Sequence, residues 1–186
     1  MTNYHKSVPG AQLTNGERKF IFDCAREVES ELGEDVTMIN IGIQWGASLW
    51  CIREGAPNAY LIGVDIDLRH DRKAQHERIQ FESEFYNTDL IEAESASYGR
   101  VFRPEVALLL IDGDHHYNQV YADIRGWVPN VCQGGIVIFH DYTPTELNLR
   151  QFPELEGVKR AVDEYFGDGW ERDKGPDSII AFRRVR

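Results

Sequence analysis

An α/β fold built on a doubly wound, mostly parallel sheet is what this sequence predicts, and three observations predict it. Short apolar runs of strand length, rich in β-branched residues, recur at positions 36–43, 60–66, 106–111 and 136–139. Segments of helical periodicity lie between them, and alternating strands and helices close into right-handed crossovers over a parallel sheet. The runs also end in polar residues: Asp65 and Asp67 after the second, Asp112 to His116 after the third, His140 and Asp141 after the fourth. In open α/β sheets the carboxyl ends of the strands form the rim where ligands bind.

The elements follow in order. Residues up to Gln12 form an irregular lead-in with Pro9 and Gly10, and Thr14 or Asn15 caps a helix through Glu31 with Phe20, Ile21, Cys24, Val28 and Leu32 on one face. The first strand is followed by a turn bracketed by Gly42 and Gly46 and a helix over 47–54, and Ala56-Pro57-Asn58 turns the chain into the second strand. A charged segment, 68–81, is expected as a solvated helix, and 85–87 as a short strand with Thr88 and Asp89 beyond it. After strand 106–111 an amphipathic helix starts near Tyr117. A Gly134-Gly135 turn then precedes strand 136–139, with a helix over 157–166 and a last strand over 178–185. A chain of 186 residues fits a single domain, 1–186, with a short N-terminal helical extension over about 1–34.

Composition excludes several classes. Twenty Lys and Arg against 31 Asp and Glu give a net charge of −11, which disfavours nucleic acid and anionic membrane as partners. Cys24, Cys51 and Cys132 are odd in number and widely spaced, with neither a Cys-x-x-Cys pair nor a zinc spacing, so they are expected as buried free thiols in a reducing compartment. No apolar run approaches about 18 residues and the first residues lack a signal-peptide core, so a cytoplasmic protein is expected.

The candidate site residues come from the strand ends. Gly42 and Gly46 let backbone approach a ligand and let the next helix begin close to the strand, or serve turn geometry alone. The pattern is neither Gly-x-Gly-x-x-Gly nor a phosphate loop, which demotes dinucleotide and ATP binding. Asp65, 25 residues past Asn40, is placed to accept both hydroxyls of a ribose. Asp112 and Asp141 are 29 residues apart, one strand-helix-strand unit, so they sit side by side on adjacent strands. With His115 they offer a divalent-metal site, a general base, or both. Asp114 and His116 are expected as capping or packing neighbours of the following helix. Trp45, in the glycine turn, either flanks a ligand or packs.

With these motifs in order, the chain resembles class I S-adenosylmethionine-dependent methyltransferases of the small-domain group that includes cephalosporin-hydroxylase-like proteins and sugar or macrolide O-methyltransferases. IDGDHHYNQVYADIRGWVPNVCQGGIVIFHDY, followed by GVKRAVDEYF, carries the resemblance, and NIGIQWGAS fits more loosely. It implies a Rossmann-like, seven-stranded sheet with the last strand antiparallel. It also implies S-adenosylmethionine held by Asn40, Gly42, Gly46, Ser48, Asp65, Asp89 and Asp112. His115 would be the catalytic base with Asp112 beside it, and Mg²⁺ or another divalent cation would sit on Asp112 and Asp141. Two positions depart from the pattern: Asn40 stands where an acid ends the first strand, and His140 stands where metal-dependent relatives have a second acid.

The activity expected is methyl transfer to a hydroxyl of a small, sugar-like or secondary-metabolite acceptor. The expected partners are that acceptor and neither nucleic acid nor membrane, with homo-oligomerisation left open. A noncatalytic nucleoside-binding or assembly module on the same fold is the alternative. A metal-dependent hydrolase, suggested by Gly113-Asp114-x-His116, ranks below both.

Overall fold

The computed structural model describes residues 12–68 and 87–186. The expected helix over 68–81 lies outside them apart from Leu68, as do residues 1–11 of the lead-in. Helix α1 (Asn15–Leu32) starts at Thr14, whose hydroxyl accepts the Glu17 N–H while the Glu17 carboxylate accepts the Thr14 N–H. This reciprocal box satisfies donors that a helix start leaves free. Strand β1 (Thr37–Ile41), helix α2 (Ala47–Gly55), β2 (Tyr60–Asp65) and β3 (Thr88–Glu92) follow. Then come α3 (Ser95–Val101), β4 (Val106–Ile111), α4 (Tyr117–Trp127), β5 (Val131–Phe139), α5 (Glu146–Gln151), α6 (Glu156–Tyr165), β6 (Trp170–Asp173) and β7 (Ile180–Arg184).

The strands form one seven-stranded sheet in the order β3-β2-β1-β4-β5-β7-β6. The first five are mutually parallel, and β7 runs antiparallel to both β5 and β6. This is the Rossmann-like arrangement expected, with an antiparallel edge. The chain winds outward from β1 to β3 and then returns to place β4 on the other side of β1. That reversal makes β1 and β4 the switch point of the sheet, the place where open α/β sheets bind ligands.

Strict alternation along the central strands builds two cores. Ile39, Ile41, Leu109, Ile111, Val137 and Phe139 face α4 and α6, against Ile124, Trp127, Val158 and Val162. Met38, Leu61, Leu108, Leu110, Ile136 and Ile138 face α1 and α2, against Ile21, Ala25, Val28, Leu49 and Ile52. Helix α1 is thus a layer of the core, not a segment standing off it. Cys24 and Cys51 are buried free thiols in this layer, pushed up to about 12 by burial. No helix among the described residues is long and apolar enough to cross a membrane.

Three local expectations are corrected. Gly134 and Gly135 form no turn ahead of a strand; they lie inside β5, where the pairing with β4 shifts between Val106 and Leu108 and Gly134 adopts φ 81°. Glycine supplies the left-handed conformation that such a bulge requires. The third strand is Thr88–Glu92, beginning where 85–87 was expected to end; residues 85 and 86 lie outside the described residues. Its start is fixed from α2: the buried Arg53 guanidinium donates to Asn87 O and Thr88 Oγ1, and also to Ala56 O, Pro57 O and Ala59 O. Its short, half-buried sequence carries no clean alternation that could have marked it. Finally, α3, α5 and β6 were not anticipated; each is short, at four to seven residues.

Asp123, on the inner face of α4, is 1% exposed. One carboxylate oxygen accepts the Ser95 hydroxyl and the other has no hydrogen-bond partner. Burial, against the Ser95 bond and helped by Glu94 and Asp114, pushes its pKa up to about 6 from 3.8. A carboxyl raised in the folded state contributes fully below the unfolded pKa and costs stability as pH rises through the folded one. The shift corresponds to about 3 kcal/mol. Asp123→Asn, which keeps an acceptor for Ser95, should therefore match wild type near pH 4 and exceed it by roughly 2–3 kcal/mol at pH 8 in urea unfolding.

Candidate active site

The rim is assembled by register. Ile41 pairs with Ile111 and Ile111 with Phe139, so β1, β4 and β5 end on one line and Gly42, Asp112 and His140 stand next along it. Gly42, at φ 78°, lies so close to β4 that a Cβ there would sit 2.0 Å from the Asp112 carbonyl oxygen. Its first task is therefore to let the turn pack on the Asp112 loop. Gly46 differs. It also needs a left-handed backbone, φ 79°, but a Cβ there would meet nothing within 4 Å. It opens α2, whose first N–H groups lack partners within the helix and receive no side-chain cap from Gly46. Ser48 is buried in that first turn, and Trp45, 36% exposed, stands beside it.

Asn40, fully buried, donates from Nδ2 to Gly42 O at 2.8 Å, while its Oδ1 has no hydrogen-bond partner. Asp65 ends β2 as expected, and its carboxylate accepts the N–H groups of Ile43 (2.8 Å), Gln44 (3.2 Å) and Asp67 (3.2 Å). It ties the glycine turn to β2 and retains lone-pair capacity toward the rim. Asp89 does not reach the rim. It pairs with Ile62, three residues before β3 ends, and its carboxylate accepts the Tyr60 hydroxyl. At about 3.3 Å per residue this sets it roughly 10 Å back. Glu92, opposite Asp65, takes the rim position that the misplaced strand had assigned to Asp89.

Beyond the crevice, four side chains converge. His115 Nε2 lies 3.1 Å from Asp141 Oδ2 and 3.9 Å from Asp112 Oδ1. His140 Nδ1 lies 3.1 Å from each of Asp112 Oδ1 and Asp141 Oδ2. None of these imidazole nitrogens has the alignment of a hydrogen bond. Asp141 reaches the cluster because its backbone is left-handed, φ 54°, a conformation costing about 1 kcal/mol that clusters at functional sites. His116 points elsewhere: its Nδ1 pairs with Asp114 Oδ1 at 2.7 Å, and its side chain is 71% exposed.

Two contributors come from outside the expected set. Alternation along β5 turns His140 to the face of Ile138, hence toward α1, where its Nε2 stands 3.5 Å from Glu17 Oε2. Glu17, 2% exposed, is fixed by the Thr14 N–H and by the N–H and hydroxyl of Ser178, at 2.8, 3.1 and 2.6 Å. Burial alone would raise Glu17, but His140 and Ser178 outweigh it and hold the acid down to about 2. Burial would likewise lower both imidazoles. The carboxylates prevail, holding His140 up to about 12 and His115 up to about 9, while the imidazoles hold Asp141 well below the usual carboxylate range. The sequence signal for His140 was its period-2 phase with Asp112; for Glu17 it was the Thr-x-x-Glu capping box.

The residues fit the two groups that the expected chemistry requires. The open space at Gly46, the donors opening α2 and the unpaired Asn40 Oδ1 suit a polar, amino-acid-bearing cofactor. Donor atoms of Asp112, His115 and Asp141 all lie within 4.8 Å of one another, a spacing that one divalent cation can span.

A seven-stranded sheet in the order β3-β2-β1-β4-β5-β7-β6, with β7 alone antiparallel, is the class I S-adenosylmethionine-dependent methyltransferase fold. Residues 39–142, more than half of the chain, match a family model described as a methyltransferase domain, and the chain belongs to that family. An uncharacterized protein of Acanthamoeba polyphaga mimivirus is 25% identical over a 132-residue alignment that covers 67% of this chain and 60% of that protein, so the match leaves two fifths of that relative uncovered. Solved structures that share the fold include two methyltransferases. An SAH-bound methyltransferase from Podospora anserina, PaMTH1, has a TM-score of 0.73 at 12% identity, covering 98% of this chain and 85% of that one. The O-methyltransferase NovP has a TM-score of 0.70 at 18% identity, covering 95% and 82%.

The two glycines should separate by experiment. Gly42→Ala drives a Cβ into backbone and adds left-handed strain, and should cost about 3 kcal/mol or more in urea unfolding. Gly46→Ala meets open space and should cost only the roughly 1 kcal/mol of its backbone conformation. Equal losses would mean that the Gly46 side of the turn is packed, not open.

Proposed function

We propose that this protein transfers a methyl group from S-adenosylmethionine to a hydroxyl of a small acceptor. One observation carries the reading: the unobstructed Gly46 position that opens α2, and an acid-imidazole cluster of Asp112, His115 and Asp141 spaced to hold a cation, share one rim, joined through the Gly42–Asp112 contact. NovP, an O-methyltransferase of the same fold, supports the hydroxyl as acceptor.

When bound, S-adenosylmethionine supplies a methyl carbon on a positively charged sulfur, which reacts by in-line displacement. The chain's own work is then positioning and proton handling. The N–H groups opening α2 and the Asn40 side chain hold the amino-acid end. Asp65 holds the ribose with its one remaining lone pair. Glu92 and the exposed Ile66 border the base. Leu147 and Phe152, exposed on and after α5, offer an apolar surface to the acceptor.

A hydroxyl is a poor nucleophile at neutral pH, and His115 Nε2 is the atom placed to take its proton. Held at about 9 by Asp112 and Asp141, that nitrogen carries a proton at neutral pH. It becomes a base once those charges are balanced. A divalent cation on Asp112 and Asp141 would supply that balance and acidify a hydroxyl near it.

Calorimetric titration with S-adenosylhomocysteine (SAH) tests the cofactor. Binding is expected in the micromolar range, about −8 kcal/mol, with Asp65→Ala at least tenfold weaker through the loss of charge-assisted bonds worth roughly 1.5–3 kcal/mol each. Absence of SAH binding to folded protein sinks the reading. Binding without methyl release across a panel of hydroxylated acceptors supports a noncatalytic module instead. With an acceptor in hand, His115→Ala should lose about 10²–10⁴-fold in rate while binding SAH normally, and His116→Ala less than about tenfold. The reverse order would overturn the assignment of the base.

A further inference from the structure

The two carboxylate oxygens of the buried Asp123, on the inner face of α4, have different surroundings. Oδ1 accepts the hydroxyl of Ser95, the first residue of α3. Oδ2 has no hydrogen-bond partner and faces the loop after β4, where a Cβ on Gly113 would stand 4.0 Å from it. Helices α3 and α4 are locked together around this bond. Trp127 Nε1 donates to Ser95 O at 2.9 Å, and Gln119 Nε2 donates to Glu94 Oε1 at 2.9 Å. Gly126 lies so close to α3 that a Cβ there would stand 2.8 Å from Ala96 O. The Ser95 hydroxyl is therefore held against Asp123 by the packing of both helices.

Ser95 leaves β3 on the side of the rim. The strand ends at Glu92 opposite Asp65, the Ala93 N–H donates to Asp65 O at 2.9 Å, and Ser95, half-buried, follows two residues later. A carboxylate can only accept, so Ser95 commits its one proton to Asp123 and keeps its lone pairs for another donor. Protonation of Asp123 reverses this. The proton belongs on Oδ1, because an O–H on Oδ2 would be buried without an acceptor. Asp123 then donates to the Ser95 oxygen, and the Ser95 O–H is released as a donor.

We propose that Asp123 is a specificity-determining residue for the base of the cofactor: ionised, it fixes Ser95 as an acceptor for an exocyclic amino group, and protonated, it makes Ser95 a donor suited to a carbonyl. The inference deepens the methyl-transfer reading and rests on it. On the edge of adenine the 6-amino group donates and the ring nitrogen accepts, so an acceptor on the protein selects the amino group. A 6-oxo purine presents an acceptor in that place. Burial brings the exchange within reach of neutral pH. It raises Asp123, and Glu94 ahead of α3 and Asp114 after β4 raise it further, against Ser95 and against Gln119 on its own helix, leaving it at about 6.

SAH and S-inosylhomocysteine, which carries a carbonyl in place of the 6-amino group, are titrated into the full chain by calorimetry between pH 5 and pH 7.5, where neither base changes charge. The amino-acid end and the ribose are common to both ligands, so other titrations cancel in the ratio of affinities. In wild type the preference for SAH should grow about tenfold as pH rises through about 6, the effect of one hydrogen bond gained or lost. Asp123→Asn, which does not titrate, should hold the ratio constant across the range. Ser95→Ala should abolish the same dependence with Asp123 still in place, and either variant suffices should the other not fold. A ratio independent of pH in wild type, or a dependence that survives in a folded variant, overturns the proposal while SAH binding itself stands. Failure of folded wild type to bind SAH at any pH overturns the methyl-transfer reading, and this inference with it.

Discussion

The contact between Gly42 and the Asp112 carbonyl is the constraint on which the rim depends. Parallel strands can end at any register; here β1 and β4 end together because the turn after β1 lies directly on the loop after β4. Asp112 N–H donates to Ile41 O, and Gly42 N–H donates to Val64 O, so one peptide of the turn is tied to its neighbours on both sides. With those ends aligned, the next strand, β5, delivers His140 beside Asp112 without further adjustment. A side chain at Gly42 would displace the loop that carries Asp112, Gly113 and His115, and with it both halves of the site.

Electrostatics explains the composition of that site. Among the described residues, no lysine or arginine pairs with Asp112 or Asp141; the cationic partners are two histidines. Imidazole is the one side chain that can balance a carboxylate as a cation, accept a proton as a base, or give a lone pair to a metal. A lysine in either place would fix the charge and preclude the other two roles. The acid pair, the Glu17 carboxylate and the two rings therefore form an ensemble whose charge can be redistributed without moving the backbone.

Much of this was legible in the sequence. The strands at 106–111 and 136–139, their polar ends and the capped first helix follow from alternation, periodicity and capping chemistry, which are local. Asp112, His115 and Asp141 were recognisable because each leaves a strand of obvious burial. What escaped was set by nonlocal contacts. β3 begins at Thr88 because Arg53, on another helix, captures Asn87 and Thr88, so Asp89 was placed at the wrong end of its strand. His140 looked like a departure from an acidic pattern until its phase along β5 turned it toward α1. Glu17 was not singled out, and nothing within three residues of it announces a buried partner more than 120 positions away.

The bond between Glu17 and Ser178 spans 161 positions, so the cluster is closed by residues from near both ends of the numbering. During synthesis α1 emerges before β7, which follows Ser178. The inner strands can pair, and the helices can dock, before β7 arrives. The carboxylate that orients His140 cannot be fixed until it does. Assembly of the cluster thereby waits on β7, and a chain made only as far as β5 carries its acids and imidazoles without the carboxylate contact that fixes them.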